Sequence, residues 1–473
     1  MKKEDICFMS ACDIAEKIKT QELSSQEITE IIIERIEKIN PKINAYCTPT
    51  FDIARDLAKN ADESIKRGEK LGLLHGIPTS IKDLMETEGV RTTFGTKIHE
   101  NYIPKEDDYI VKTLKNAGIV MLGKTNTPTY GYWPLTKNKI FGETYNPWDQ
   151  NRNSGGSSGG AAAAVASGLG PLALGSDGGS SIRIPSSFCG VYGIKPTFGL
   201  IPRYPWNLHG IAFFTLDHYG PIVRYVNDAA LMLDVMVNYY ESDRLSVPKQ
   251  DVQYIKAIKE KPSKLKIGFS LDLGFIKAIE PEIEKSIIES VQKFEKLEWS
   301  VEEAKIKIRK AYRTFALIVT SGYALDINLK KYRDIIEEDL VKMIEAGQTY
   351  TAVDLKRAEL QREKIYEVFQ QFFKNYDILI TPTAAVLPLE VGKWRFDKIN
   401  DIPVSPEAWF SHCYSFNLTG HPAASIPCGW TEEGLPIGMQ IIGRRFEDST
   451  VLQVSKAFEE IAPWQDKRPQ FEI

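Results

Sequence analysis

The sequence predicts an α/β domain built on a layered sheet, and three observations carry that expectation. Strand-like apolar runs alternate with helical patterns from residue 70 to 235 and return after 376. Alternation of this kind makes sheets flanked by helices. The 473 residues contain no internal repeat and no low-complexity linker. Length alone would allow two or three domains, but large α/β enzymes also form one unit. Composition is ordinary for a globular chain, at 43% hydrophobic and 26% charged.

Residues 1–68 read as helical. Ser24 and Glu27 fit a capping box, and Ile28, Ile31, Ile32, Ile36 and Ile39 follow helical spacing. A second helix covers Phe51 to Arg67 and stops at Gly68. In residues 70–235 the predicted order is strand Ile77 to Lys82, helix Asp107 to Asn116 and strand Ile119 to Leu122. Helix Ala161 to Ser167 and strand Leu172 to Leu174 follow. Residues 240–375 are rich in Lys and Glu. Amphipathic segments at Glu280 to Leu297 and Ala352 to Tyr376, with a strand at Leu265 to Phe269, predict a helical elaboration packed on the sheet. Residues 376–473 supply strands Ile378 to Ile380, Ala423 to Pro427 and Ile437 to Ile442, then helix Ser449 to Glu460. Both ends of the chain are expected to share one core.

Charge and cysteine usage exclude several classes. A net charge of -4 lacks the basic excess of a nucleic-acid binder. Cys7, Cys12, Cys47, Cys189, Cys413 and Cys428 form no CxxC pair and are too sparse for a disulfide scaffold. Cys189 and Cys428 sit in apolar, strand-like contexts and read as packing residues. The start turns acidic at once, unlike a secretory signal. The uncharged run from Gly155 to Ser176 is Gly, Ala and Ser with Pro171 inside, not the roughly 20 apolar residues of a membrane span. The expectation is a soluble, cytoplasmic protein. His75, His99, His209, His218, His412 and His421 lack metal-ligand spacing, so neither metal nor cofactor is expected. A homodimer is the default closed assembly.

One motif misleads. Gly118 to Thr125 matches the phosphate-loop pattern GxxxxGK[ST] letter for letter. A phosphate loop lies between a strand and a helix. Here the intervening Ile-Val-Met-Leu reads as the strand itself, and Asn126-Thr127-Pro128 breaks a helix instead of starting one.

The informative residues are two glycine-serine knots, Gly155 to Gly160 and Ser176 to Ser181, and a lysine in apolar company, Lys82. Acyl transfer needs a nucleophile, a base and donors for the developing oxyanion. The backbone N–H groups of Gly178, Gly179 and Ser180 are candidate donors, and Asp177 can fix their turn. Ser180 or Ser181, and equally Ser157 or Ser158, could be the reacting hydroxyl. Lys82 can serve as base once it loses its charge. Taken singly, these features have plainer readings: a flexible Gly-Ser linker, a solvated lysine, a surface salt bridge at Arg183. Their joint occurrence around an alanine-rich helix and a strand argues otherwise.

From Asn146-Pro147-Trp148 through the first knot to Gly193-Ile194-Lys195-Pro196-Thr197, the sequence resembles the amidase signature family. Lys82-Asp83, Gly123 to Asn126, His218 to Pro221 and Pro436 to Gln440 extend the resemblance along most of the chain; 240–375 matches less well. The resemblance implies a single domain over 1–473. Its mixed, twisted sheet is covered by helices on both faces, and 70–235 is the catalytic core. It also implies a triad of Lys82 as base, Ser157 as bridging residue after a cis peptide bond, and Ser181 as nucleophile. Ser158, Asp177 and Arg183 support the triad. Asp83 must then face away from Lys82. The family usually has Gly at the position of Ser180, and a positive φ there would strain a serine.

The function implied is hydrolysis of a small-molecule carboxamide to an acid and ammonia or an amine. The alternatives are the glutaminase component of a tRNA-dependent amidotransferase (its A subunit) and a catalytically silent binding protein. The glutaminase usually carries Gln after the Ser-Ile-Arg of the nucleophile turn, where this chain has Ile184. Tyr132, Trp133, Tyr204, Trp206, Trp409 and Phe410 are expected around the acyl pocket.

Overall fold

Isoleucines at helical spacing organise the start of the chain. In the computed structural model, which describes residues 2–205 and 212–471, they lie on the helix Ser25–Ile43 and face the core. The Ser24 hydroxyl caps that helix by accepting from the Glu27 N–H at 3.0 Å. The second helix spans Phe51–Lys66.

The strands are β1 (Tyr46–Pro49), β2 (Pro78–Lys82), β3 (Val120–Thr125), β4 (Lys137–Asn138), β5 (Gly142–Glu143), β6 (Leu172–Ser176), β7 (Tyr192–Lys195) and β8 (Tyr219–Val223). They continue with β9 (Lys266–Phe269), β10 (Ser300–Glu303), β11 (Ile378–Pro382), β12 (Lys398–Ile399), β13 (Ile402–Pro403), β14 (Ala423–Trp430) and β15 (Pro436–Ile442). An 11-stranded sheet runs in the order β1-β3-β2-β6-β8-β7-β14-β15-β11-β9-β10. It is mixed: β2 is parallel to β3 and β6, whereas β14 is antiparallel to β7 and β15. β4 with β5 and β12 with β13 form two small ribbons. Helices cover the large sheet on both faces. Ile6 and Trp464 belong to one apolar core, so both ends of the chain close the same unit.

Small residues set the centre of the fold. The helix Gly159–Ala166 is buried at every position. A Cβ on Gly160 would come within 2.4 Å of the Asn126 backbone nitrogen, so glycine is required by contact with the chain that follows β3. Burial on all sides explains why this stretch is apolar without being long.

The phosphate-loop look-alike is strand at its end. Lys124 and Thr125 close β3, and the buried Lys124 Nζ donates to the Met85 carbonyl and the Thr87 hydroxyl. That lysine pins the chain just after Lys82. Two expectations need correction. Cys189 is the last residue of the helix Arg183–Cys189, not part of a strand; it is buried because the whole helix is. In the elaboration at 240–375 the expected strand is present as β9, but a second strand that was not expected, β10, pairs with it at the sheet edge. Among the described residues no helix is long and apolar enough to cross a membrane.

Candidate active site

Two neighbouring parallel strands bring a lysine and a serine hydroxyl together. Lys82 ends β2 and Ser176 ends β6, so both side chains stand at the same rim of the sheet. Lys82 is fully buried, and its Nζ lies 2.7 Å from Ser157 Oγ, 2.9 Å from Ser158 Oγ and 3.0 Å from Ser176 Oγ. Burial pushes its pKa from 10.5 down to about 7; Asp217 and Asp177 oppose that shift from a distance. Asp83 faces the other way, accepting from the Thr93 N–H at 3.1 Å. Burial raises the Asp83 carboxyl to about 6.

Proton placement separates the two serines of the first knot. A neutral amine donates twice and accepts once, and a hydroxyl donates once. Ser158 Oγ gives its proton to the Ser176 carbonyl at 3.1 Å, so it can only accept from Lys82. Ser157 Oγ also accepts from Nζ and makes no other hydrogen bond among the described residues. The Gly156–Ser157 peptide bond is cis.

The second knot is held rigidly from below. Asp177 and Arg183 form a fully buried ion pair, with Nε–Oδ2 and Nη2–Oδ1 both at 2.9 Å. Burial opposes ionisation of Asp177, but the Arg183 guanidinium prevails and holds the carboxyl well below the usual carboxylate range. Arg183 Nη1 also donates to Gln440 Oε1 at 2.6 Å and the Cys413 carbonyl at 2.9 Å, and Asn417 Nδ2 donates to Asp177 Oδ1 at 2.9 Å. Asp177 and His218 exchange backbone bonds at 2.8 and 3.2 Å, which puts His218 beside the turn. Arg183 is thus a buried strut, not a surface salt bridge. Asp177 Oδ2 takes the Ile182 N–H at 3.1 Å. By contrast, the N–H groups of Gly178, Gly179, Ser180 and Ser181 find no protein acceptor among the described residues. Ser180 does not take a positive φ, so serine fits there without strain.

Two cavities meet at Ser181. A small polar one of about 40 Å³ is lined by Ser157, Ser176, Gly178, Ser181, Asp108, Arg203, Asp217 and Tyr219, with Leu84, Phe94, Tyr130 and Phe213. A larger one of about 430 Å³ is lined by Gly179, Ser180, Ser181, Tyr132, Trp133, Phe213, Tyr312, Phe315, Val319, Met343 and Phe410. Ser181 lines both cavities, sharing the small one with Ser157, and Ser180 lines only the larger. Tyr132, Trp133 and Phe410, expected around the acyl pocket, line the larger cavity. Trp409 does not: it is buried behind the cavity, with its ring stacked 6.0 Å from Phe188. Tyr204 is exposed and packs on Tyr240. Trp206 lies outside the described residues. Ser176, Asn417 and Gln440 had no place in the expected site. Ser176 could have been found, since it ends the strand next to Lys82. Asn417 carries no local signal. The helices Ala311–Asp326 and Glu338–Gln348, from the elaboration, wall the larger cavity.

Known proteins share this arrangement of sheet and turns along nearly the whole chain. The Amidase family profile matches residues 27–452. An acylamidase of Rhodococcus erythropolis is 36% identical, over 99% of this chain and 98% of its own length. The A subunit of the glutamyl-tRNA(Gln) amidotransferase of Carboxydothermus hydrogenoformans is also 36% identical, over 98% of this chain and 100% of its own. A solved bacterial aryl acylamidase of the amidase signature family superposes with a TM-score of 0.91 at 30% identity, covering 97% of each chain. The chain belongs to the amidase signature family, and it is a hydrolase acting on amide C–N bonds.

Proposed function

We propose that the protein cleaves carboxamides through an acyl-enzyme on Ser181, with Ser157 as proton relay and Lys82 as base. The observation that carries this reading is a buried amine, its pKa brought to about 7, with its Nζ 2.7 Å from the Ser157 hydroxyl. Ser181 Oγ attacks the carbonyl carbon as its proton passes to Ser157 Oγ and the Ser157 proton passes to Nζ. The N–H groups of Gly178, Gly179 and Ser180 stabilise the oxyanion. The C–N bond then breaks while Ser157 protonates the leaving nitrogen and is refilled from Lys82. Water attacks the ester by the same relay, releasing the acid and restoring Ser181.

Ser158, Asp177 and Arg183 position this set and do not touch the substrate. A role as the amidotransferase glutaminase is disfavoured by Ile184, an apolar residue wholly buried where that glutaminase usually carries Gln. A silent binding role fits poorly with a base held neutral at such cost. The test is labelling by a fluorophosphonate probe. The wild-type chain should be modified at Ser181, and Ser181→Ala should be neither labelled nor active while keeping its circular dichroism. Labelling elsewhere, or turnover by Ser181→Ala, would sink the assignment.

A further inference from the structure

The two cavities differ tenfold in volume and share Gly131, Ser181 and Phe213 as the boundary between them. They also divide the reacting groups. Ser157, Ser176 and the oxyanion donor Gly178 line only the small one, while Gly179 and Ser180 line only the large one. This division, taken with the relay proposed above, orients the substrate.

The leaving nitrogen must receive its proton from Ser157 Oγ, so it has to face the cavity that Ser157 lines. The acyl carbon substituent then points the other way, past Gly179 and Ser180. About 40 Å³ has room for a few water-sized groups and none for a ring. Its walls carry polar groups, with Asp108, Tyr219 and the Arg203–Asp217 ion pair (3.1 Å) on the lining. About 430 Å³ falls within the usual range for small-molecule sites. Its wall carries the aromatic residues Trp133, Phe213, Tyr312, Phe315 and Phe410, with the charged Asp339, Lys342, Arg395 and Glu407 also on its lining.

We infer that the preferred substrates are primary amides of bulky arylalkyl acids, with ammonia leaving through the small polar chamber and the aryl group held in the large one. This inference rests on the proposed function and sharpens it. It sets the chain apart from any enzyme whose ring sits on the amine side.

An isomeric pair tests it: 3-phenylpropionamide carries the ring on the acyl side and N-benzylacetamide carries it on nitrogen. The expected kcat/KM ratio favours the primary amide by about a hundredfold. A ratio near one, or a reversed one, overturns the orientation while leaving amide hydrolysis by Ser181 intact. Hydrolysis of neither overturns it as well, and Ser181 labelling then shows whether the catalytic reading fails with it. Ala316→Trp, which narrows the large chamber, should lower kcat/KM for 3-phenylpropionamide about tenfold more than for acetamide. Equal losses on both amides would place the aryl group elsewhere.

Discussion

The turn Ser176 to Arg183 and the helical wall from Ala311 to Gln348 border the same cavity but are built differently. Every residue of the turn is buried, and its conformation is locked by backbone bonds and by the Asp177–Arg183 pair. The wall offers side chains from amphipathic helices whose outer faces are exposed; Phe315, Val319 and Met343 reach the cavity while Glu338 and Glu345 meet solvent. The turn can change only by moving backbone or baring a buried charge. The wall can change one side chain at a time. On the proposed function, chemistry is held by the less substitutable of the two and selectivity by the more substitutable.

Substitutions can break or sharpen this contrast, and the turn should respond most. Ser181→Ala is expected to lower kcat at least about a thousandfold with an unchanged fold, as measured by turnover and circular dichroism. Lys82→Met should lose activity on a similar scale and also change how stability depends on pH. The folded lysine gives up its proton near 7, while the unfolded one keeps it to about 10.5. The unfolded chain thus binds more protons in that window, so wild-type stability rises with pH between those values. The penalty, about 5 kcal/mol, is fully present below about pH 7. Denaturant unfolding across this window should show the rise in wild type and not in Lys82→Met.

Arg183→Met strands the Asp177 carboxylate in the interior and should cost about 3–5 kcal/mol in unfolding free energy. Gly160→Ala forces a methyl group against the Asn126 backbone and should cost about 1–3 kcal/mol. Met343→Ala, on the wall, is expected to do least. It should lower kcat/KM for arylalkyl amides by no more than about tenfold, mainly through KM, with little change in melting temperature. A wall variant as damaging as Arg183→Met would erase the contrast.

The same contrast explains what could be read from the sequence. The crowding around Lys82, Ser157 and Ser181 was legible because close backbone approach forces an unusual local composition. Few sequences other than a packed turn need glycine, serine and alanine at such density. The helices and strands of the core were legible by period, with ends displaced by up to three residues, as at Val120–Thr125, expected over Ile119 to Leu122. The wall was not legible, because an amphipathic face looks the same whether it meets a core or a cavity. Phe315 and Met343 were accordingly not among the expected pocket residues. Cys189 was misread because full burial removes periodicity, leaving helix and strand alike. Asn417 and Gln440 reach Asp177 and Arg183 from more than 200 residues away, a closeness that only the sheet order creates.

The rate of Ser181 phosphonylation as a function of pH tests the central claim most directly, because it reads activation of the nucleophile without substrate binding or product release. The rate should rise through a single ionisation near 7, set by Lys82, and that ionisation should vanish in Lys82→Met. A wild-type rate that climbs only near the ordinary lysine value of 10.5, or a profile that Lys82→Met leaves in place, would contradict it.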